Sequence, residues 1–214
     1  MNWLRDALTR VMRRSRKRRM ERCAATFSIT PATRVLDVGG TPANWQLLDS
    51  PPRVTLANMP RARAPLPPGF ECVFADGCRL PFADQSFDLV FSNSVIEHVG
   101  ERVRQASFAA EIRRVGRRYW VQTPNRWFPI EPHLLTPLVH FLPRAMQSAL
   151  VRRWTVWSAL EKPTEDRRAF YIEHYLRDIR LLGPSAFRKL FPGGRLLRER
   201  WMGLTKSLVM FNRG

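Results

Sequence analysis

The most regular signal along this chain is a series of short, β-branched and apolar runs at 34–38, 53–57, 70–75, 87–91 and 118–123, each of strand length. Residues 101–115 lie between two of them and read as a helix, with Val103, Phe108, Ile112 and Val115 as its apolar positions. Strands alternating with helices predict an α/β fold, a parallel sheet with helices on both faces. The chain closes differently. Pro184–Phe191 reads as a short helix, Pro192-Gly193-Gly194 as a turn, and 195–202 and 205–212 as two strands joined at Gly203.

Two segments stand outside that alternation. Residues 1–25 predict a basic amphipathic helix, with Trp3, Leu4, Ala7, Leu8, Val11 and Met12 as an apolar stripe and Arg13–Arg19 as a positive block. Such a helix could lie on an anionic membrane surface or pack on the domain with a solvated basic end. Residues 125–183 are rich in aromatics and proline, then become a charged helical stretch around Glu161–Leu182. Ligands of open α/β sheets bind outside the carboxyl ends of the strands, so an insertion after the fifth strand lands over the site as a lid or substrate wall. The expected division is therefore 1–25, a core at 26–124, the inserted segment at 125–183, and closing elements at 184–214.

Composition narrows the classes. At 214 residues the chain is long enough to bury its own core. Its formal charge of +18 is almost all arginine, since the lysines are only Lys17, Lys162, Lys189 and Lys206. That excess fits nucleic acid, an anionic membrane, an acidic substrate, or simply an arginine-rich genome. Cys23, Cys72 and Cys78 are odd in number and lack metal or redox spacing, which suits a reduced, cytoplasmic protein. Residues 1–22 lack the apolar core of a signal peptide, and Trp127–Leu142 is interrupted by Pro129, Pro132 and Pro137. A cytoplasmic location is expected, with peripheral contact at the inner face of the membrane through the basic helix as a further option.

Two stretches carry the chemistry. The first is Arg34-Val-Leu-Asp-Val-Gly-Gly-Thr-Pro-Ala-Asn44; the second is Phe74-Ala-Asp-Gly-Cys-Arg-Leu-Pro-Phe82 followed by Ser86-Phe-Asp-Leu-Val-Phe-Ser-Asn-Ser-Val-Ile-Glu-His-Val99. In this order and at this separation they resemble the class I S-adenosylmethionine (SAM)-dependent methyltransferases, in the type 11-like branch that methylates small molecules. The resemblance implies a Rossmann-like seven-stranded, mostly parallel sheet with helices on both faces and a C-terminal antiparallel hairpin. It implies SAM as cofactor.

The same resemblance assigns residues. Asp37, Gly39 and Gly40 would meet the amino-acid end of the cofactor, with Gly39 allowing close backbone approach and Asp37 attracting the ammonium. Family members carry alternate glycines where this chain has Thr41 and Ala43, and an acid where it has Asn58. Asn58 would hold the ribose without the charge that strengthens such bonds, beside Met59 on the adenine or in the core. Asp76 would accept from the adenine amine, with the backbone of Gly77 and Cys78 donating to a ring nitrogen, and Asn93 would close the site at the fourth strand.

For catalysis, His98 and His133 are the leading candidate bases, with His140 and His174 also on the inserted segment. Some relatives hold a divalent metal with acids and a histidine after the fourth strand. Here Ser94 replaces one acid, Ser94 and Glu97 read as a helix capping box, and no metal is expected. The phrase Thr123–His133 resembles a segment of bacterial methyltransferases associated with surface-polysaccharide or lipid-linked glycan assembly. Asn125, Arg126, Glu131 and His133 would then flank the acceptor, with Trp127 as a platform, or simply fix a proline-rich loop. The expected activity is methyl transfer to a small molecule, glycan or lipid-linked intermediate. Two alternatives stay open: an RNA methyltransferase or RNA-binding protein, prompted by the charge, and a catalytically silent relative, prompted by Thr41, Ala43 and Asn58.

Overall fold

The computed structural model describes residues 2–60 and 65–213, apart from the side chains of 2–9, 11 and 12, so the stripe from Trp3 to Met12 lies outside the described side chains. In chain order the elements are α1 (Asn2–Phe27), β1 (Arg34–Val38), α2 (Pro42–Trp45), β2 (Arg53–Asn58), β3 (Phe70–Phe74), β4 (Leu89–Asn93), α3 (Arg102–Val115) and β5 (Tyr119–Pro124). The insertion follows with the two-residue strands β6 (Ile130–Glu131) and β7 (Thr136–Pro137), then α4 (Arg144–Arg153), α5 (Val156–Glu161) and α6 (Glu165–Asp178). The chain ends with α7 (Pro184–Leu190), β8 (Arg195–Trp201) and β9 (Leu204–Phe211).

The sheet order is β3-β2-β1-β4-β5-β9-β8. The first five strands are parallel, and β9 runs antiparallel to both β5 and β8. Strand order reverses between β1 and β4, which opens a crevice at their carboxyl ends. On one face Met20, Cys23 and Phe27 of α1 pack with Trp45, Phe91, Trp120 and Val209. On the other, Phe108 and Ile112 of α3 meet Phe187, Val90, Val121 and Met210. The insertion gathers its own apolar cluster from Leu134, Val139, Val151, Ile172, Tyr175 and Ile179.

Two boundaries differ from the sequence reading. The fourth strand begins at Leu89, not at residue 87. The Asp88 carboxylate accepts from the Arg34 N–H at 2.9 Å, and Phe87 packs edge-on against Phe82, so the strand's first apolar residue belongs to the preceding loop. The N-terminal helix runs on to Phe27 because Met20, Cys23 and Phe27 continue its buried face onto the sheet. Among the described residues no helix is long and apolar enough to cross a membrane.

Candidate active site

The crevice is built from the carboxyl ends of β1 to β4. Asp37 is fully buried; its Oδ2 accepts from Trp45 Nε1 at 2.8 Å, and its Oδ1 has no partner. Burial pushes the Asp37 carboxyl up to about 7, with the Trp45 hydrogen bond holding it back. Gly39 sits at φ 77, and a Cβ there would fall 2.5 Å from a Val95 methyl. At Gly40 a Cβ would fall 1.9 Å from the Asp37 carboxylate. The space a side chain would take at both glycines is therefore filled by the protein's own Val95 and Asp37.

Asn58 donates from Nδ2 to the Gly40 carbonyl at 3.1 Å, tying the end of β2 to this loop and leaving Oδ1 to accept. Met59 is 63% exposed, so it is not a core residue. After β3, Asp76 Oδ1 accepts from the Cys78 N–H at 2.9 Å and Oδ2 from Arg104 at 2.9 Å. Burial works to raise the Asp76 carboxyl, but those two donors outweigh it and hold it below its usual range. The Cys78 N–H, expected to face the cofactor, is taken by this local turn, a habit of Asp side chains two residues upstream. Gly77 is packed so closely on Phe108 of α3 that a Cβ would lie 2.7 Å from its ring. Asn93 presents its Oδ1 to Arg19 of α1 at 2.6 Å.

The capping-box reading after β4 does not hold. Ser94 has φ 57, outside the extended backbone an N-cap needs, and its Oγ donates to Gln122 Oε1 at 2.8 Å. Glu97 turns inward, buried, with Oε2 accepting from Thr123 at 3.0 Å and Oε1 without a partner. Burial lifts the Glu97 carboxyl to about 7 against the opposing charge of His133 and the Thr123 hydrogen bond.

His98 and His133, far apart in sequence, meet at 3.1 Å between their Nε2 atoms. They form the centre of a longer row. His133 Nδ1 lies 2.7 Å from Glu131 Oε1, His98 Nδ1 lies 3.4 Å from His174 Nε2, and His174 Nδ1 lies 2.8 Å from Asp178 Oδ2. Three neutral imidazoles carry three N–H protons, yet this row has four contacts to fill. It is complete only with one extra proton, that is, with one imidazolium. The electrostatics assign that proton to His133: burial pulls it down, but the hydrogen bond and charge of Glu131 and the charge of Glu97 raise it above its ordinary value. Burial, then the charge of His133 and His174, pushes His98 down to about 4. His98 is thus a neutral imidazole donating from Nδ1 to His174 and accepting at Nε2 from His133.

Of the other candidates, His140 does not join the row; its Nε2 meets the Arg126 carbonyl at 2.9 Å. Asn125 holds its loop by donating to the Thr205 carbonyl at 2.8 Å and accepting from Trp127 N–H at 3.2 Å. Trp127 is 62% exposed and stacked on Phe141. Asp178 was missed from the sequence, although His174 and Asp178 stand one helical turn apart on α6. Glu97, His98 and His133 each present a ligand atom within 4.8 Å of the others, a spacing a cation could bridge. Hydrogen bonds account for both imidazoles there, whereas Glu97 Oε1 has no partner.

A methyltransferase-domain family model matches residues 45–118, from Trp45 through α3 to Arg118. Among solved structures, the chain superposes on Burkholderia thailandensis 1,6-didemethyltoxoflavin-N1-methyltransferase, which holds 1,6-didemethyltoxoflavin and S-adenosylhomocysteine (TM-score 0.56, 15% identity, 97% of this chain and 81% of that one). It also matches a chain from the complex of the Haloferax volcanii Trm112 methyltransferase activator with a methyltransferase (TM-score 0.54, 12% identity, 98% and 95%). A Rhodobacter sphaeroides chain labelled a Zn-dependent alcohol dehydrogenase superposes similarly (TM-score 0.56, 10% identity, 86% and 84%). At such identities these likenesses establish the fold. No protein of curated function matches the chain in sequence.

Proposed function

We propose that this chain is a class I SAM-dependent methyltransferase, a reading supported by the methyltransferase-domain match at residues 45–118 and by the fold, and that it methylates a small-molecule acceptor whose nucleophile is deprotonated at the His98–His133 pair. A glycan or lipid-linked intermediate falls within that class, and the exposed Trp127–Phe141 stack offers an apolar platform for either. The observation that carries the reading is the unbroken row Glu131–His133–His98–His174–Asp178 beyond the carboxyl end of β4.

The crevice residues are compatible with the cofactor: the buried Asp37 carboxylate beneath the loop puts negative charge where an ammonium would sit, and Asn58 keeps an oxygen for a ribose hydroxyl. SAM supplies an electrophilic methyl group already activated by its sulfonium charge. What remains for the protein is to align the acceptor, exclude water and take a proton. His98, neutral through burial, receives that proton at its Nε2 when His133 has released its own, and Glu131 and Asp178 at the two ends stabilise the resulting positive charge.

The test is single-turnover methyl transfer from labelled SAM to fractionated small-molecule, lipid and glycan extracts, with His133→Ala alongside. Loss of about 10²–10⁴ in rate at unchanged SAM affinity is expected, the usual scale of general-base catalysis. Retained turnover in His133→Ala would remove the pair as the base. Label appearing only in RNA would move the acceptor class.

A second reading concerns location. Arg14, Arg18 and Arg22, one turn apart on α1, face Arg198 and Arg200, alternate residues of β8, across a groove of about 390 Å³. This double row of cations supports peripheral contact with an anionic lipid surface.

A further inference from the structure

A separate cavity of about 650 Å³ opens between the insertion and the start of α3, lined by neither His98 nor His133. Four arginines line it, with one carboxylate, Glu101: Arg102 opens α3, Arg126 follows β5, Arg144 opens α4 and Arg180 follows α6. Among the described residues none of the four is paired with a carboxylate. Arg144 donates to Gln147 Oε1 at 2.7 Å and to the Leu176 carbonyl, and Arg180 donates to the Leu176 and Ile179 carbonyls at 3.4 and 2.9 Å. Two guanidiniums therefore meet at one carbonyl with only neutral acceptors between them. Burial, then the charge of Arg180, lowers the Arg144 pKa, so the protein alone leaves this pair in mutual repulsion.

The site is built rather than loose. Gln147 is buried, donating to the Val139 carbonyl and to Tyr175 Oη at 3.2 Å each, and it fixes the Arg144 guanidinium through its own oxygen. The same lining also includes the apolar side chains of Leu142, Ile179 and Leu182. Guanidinium forks match phosphate oxygens in pairs, and several together neutralise more charge than one carboxylate brings. We propose that this cavity binds a diphosphate group, free or esterified, between Arg102, Arg126, Arg144 and Arg180, with Leu142, Ile179 and Leu182 receiving the carbon portion of an ester. None of these residues is placed in the cofactor crevice or the histidine row; Arg126 is also one of the residues expected beside the acceptor, so the test reads diphosphate binding and not methyl transfer.

The experiment is calorimetric titration of the full chain with two probes, inorganic pyrophosphate and geranyl diphosphate. Arg102→Gln/Arg126→Gln is the main variant, because both side chains are exposed and their loss leaves the fold intact. Arg198→Gln/Arg200→Gln controls for general charge. At least tenfold weaker diphosphate binding is expected in the first variant at unchanged melting temperature, with little change in the control. Tighter binding of the ester identifies an organic diphosphate; equal binding of both probes identifies the free anion. Equal losses in the two double variants would overturn the site, as would undetectable binding of both probes by the unaltered chain. SAM titration of the same samples reads the cofactor site separately.

Discussion

Arg19 and Glu199, 180 residues apart, are joined by two hydrogen bonds, Nε to Oε1 at 2.8 Å and a terminal nitrogen to Oε2. The same guanidinium reaches Asn93 at the end of β4, so one side chain of the N-terminal helix ties the closing hairpin to the floor of the crevice. With side-chain exposures of 8% and 16%, the pair is largely withdrawn from water. Among the described residues, breaking it leaves Glu199 with the Ser207 hydroxyl as its side-chain hydrogen-bond donor and the charge of Lys206 nearby.

Arg19→Ala is therefore expected to lose about 3 kcal/mol, the lower end for breaking a buried pair, since some water still reaches Glu199. Urea unfolding measures it, and Arg19→Lys should recover only part because an ammonium cannot fork. Burial works to raise the Glu199 carboxyl, but Arg19 and Ser207 hold it below its usual range. A depressed acid stabilises above its unfolded pKa, so this contribution fades as pH falls through the folded value. A pH-independent difference between the unaltered protein and Arg19→Ala across the acid range would contradict the assignment.

Through His133, activity and stability respond oppositely to pH. His133 has a raised pKa, so its contribution to stability is full below its unfolded value near 6.5 and is lost as pH rises through the folded one. His98, depressed to about 4, contributes above its unfolded value and loses that contribution as pH falls toward 4. Methyl transfer needs the extra proton gone from His133, so kcat/KM should climb with pH across a midpoint above 6.5. Glu131→Gln removes the charge that raises His133, and the midpoint should move down. An unmoved midpoint in that variant would show that another group controls the profile.

Much of this was legible beforehand because periodicity and turn chemistry are local. The β1 and β3 runs, the span of α3 and the closing hairpin follow from spacing and glycine placement, and the structure puts them within a residue or two, although Val103 is 78% exposed and α3 buries Gln105, Phe108, Ala109, Ile112 and Val115 instead. What escaped was long-range. Ser94 and Glu97 have capping-box spacing, yet β5 brings Gln122 and Thr123 alongside and captures both side chains. The diphosphate cavity draws one arginine from each of four elements, a convergence no sequence window contains. Asn93 was read against a cofactor alone because nothing marked Arg19 among its basic neighbours as the one turned inward.

The groove between α1 and β8 makes its own prediction. Deleting residues 1–22 would also remove Arg19 and Met20 from the interior, so truncation confounds surface charge with unfolding. Arg14→Glu/Arg18→Glu/Arg22→Glu reverses the exposed row and leaves the buried contacts. Flotation with phosphatidylserine-rich vesicles should fall at least tenfold in this variant and weaken with salt, whereas neutral vesicles should bind neither form. Undiminished flotation would exclude the groove as the membrane contact, and competition by RNA at equal charge would favour nucleic acid instead.

Asp37 yields the sharpest test of the cofactor crevice. Burial sets its pKa at about 7, so near neutrality a large fraction of the free protein carries a protonated carboxyl there. An ammonium in the crevice near Asp37 favours the carboxylate, so SAM binding should expel a proton. Titrations in buffers of different ionisation enthalpy should therefore show release of a fraction of a proton per SAM at pH 7, and affinity should strengthen between pH 6 and 8, by up to about tenfold per unit at the lower end. Asp37→Asn abolishes the release and weakens binding by about tenfold or more, the scale of a charge-assisted hydrogen bond. Gly40→Ala reaches the same carboxylate from the other side. Its Cβ would fall 1.9 Å from Asp37 Oδ2, forcing the side chain away at about 1–3 kcal/mol and shifting the proton release with it. Proton release that persists unchanged in Asp37→Asn would mean that SAM meets a different titrating group, and the ammonium would have to be placed elsewhere in the crevice.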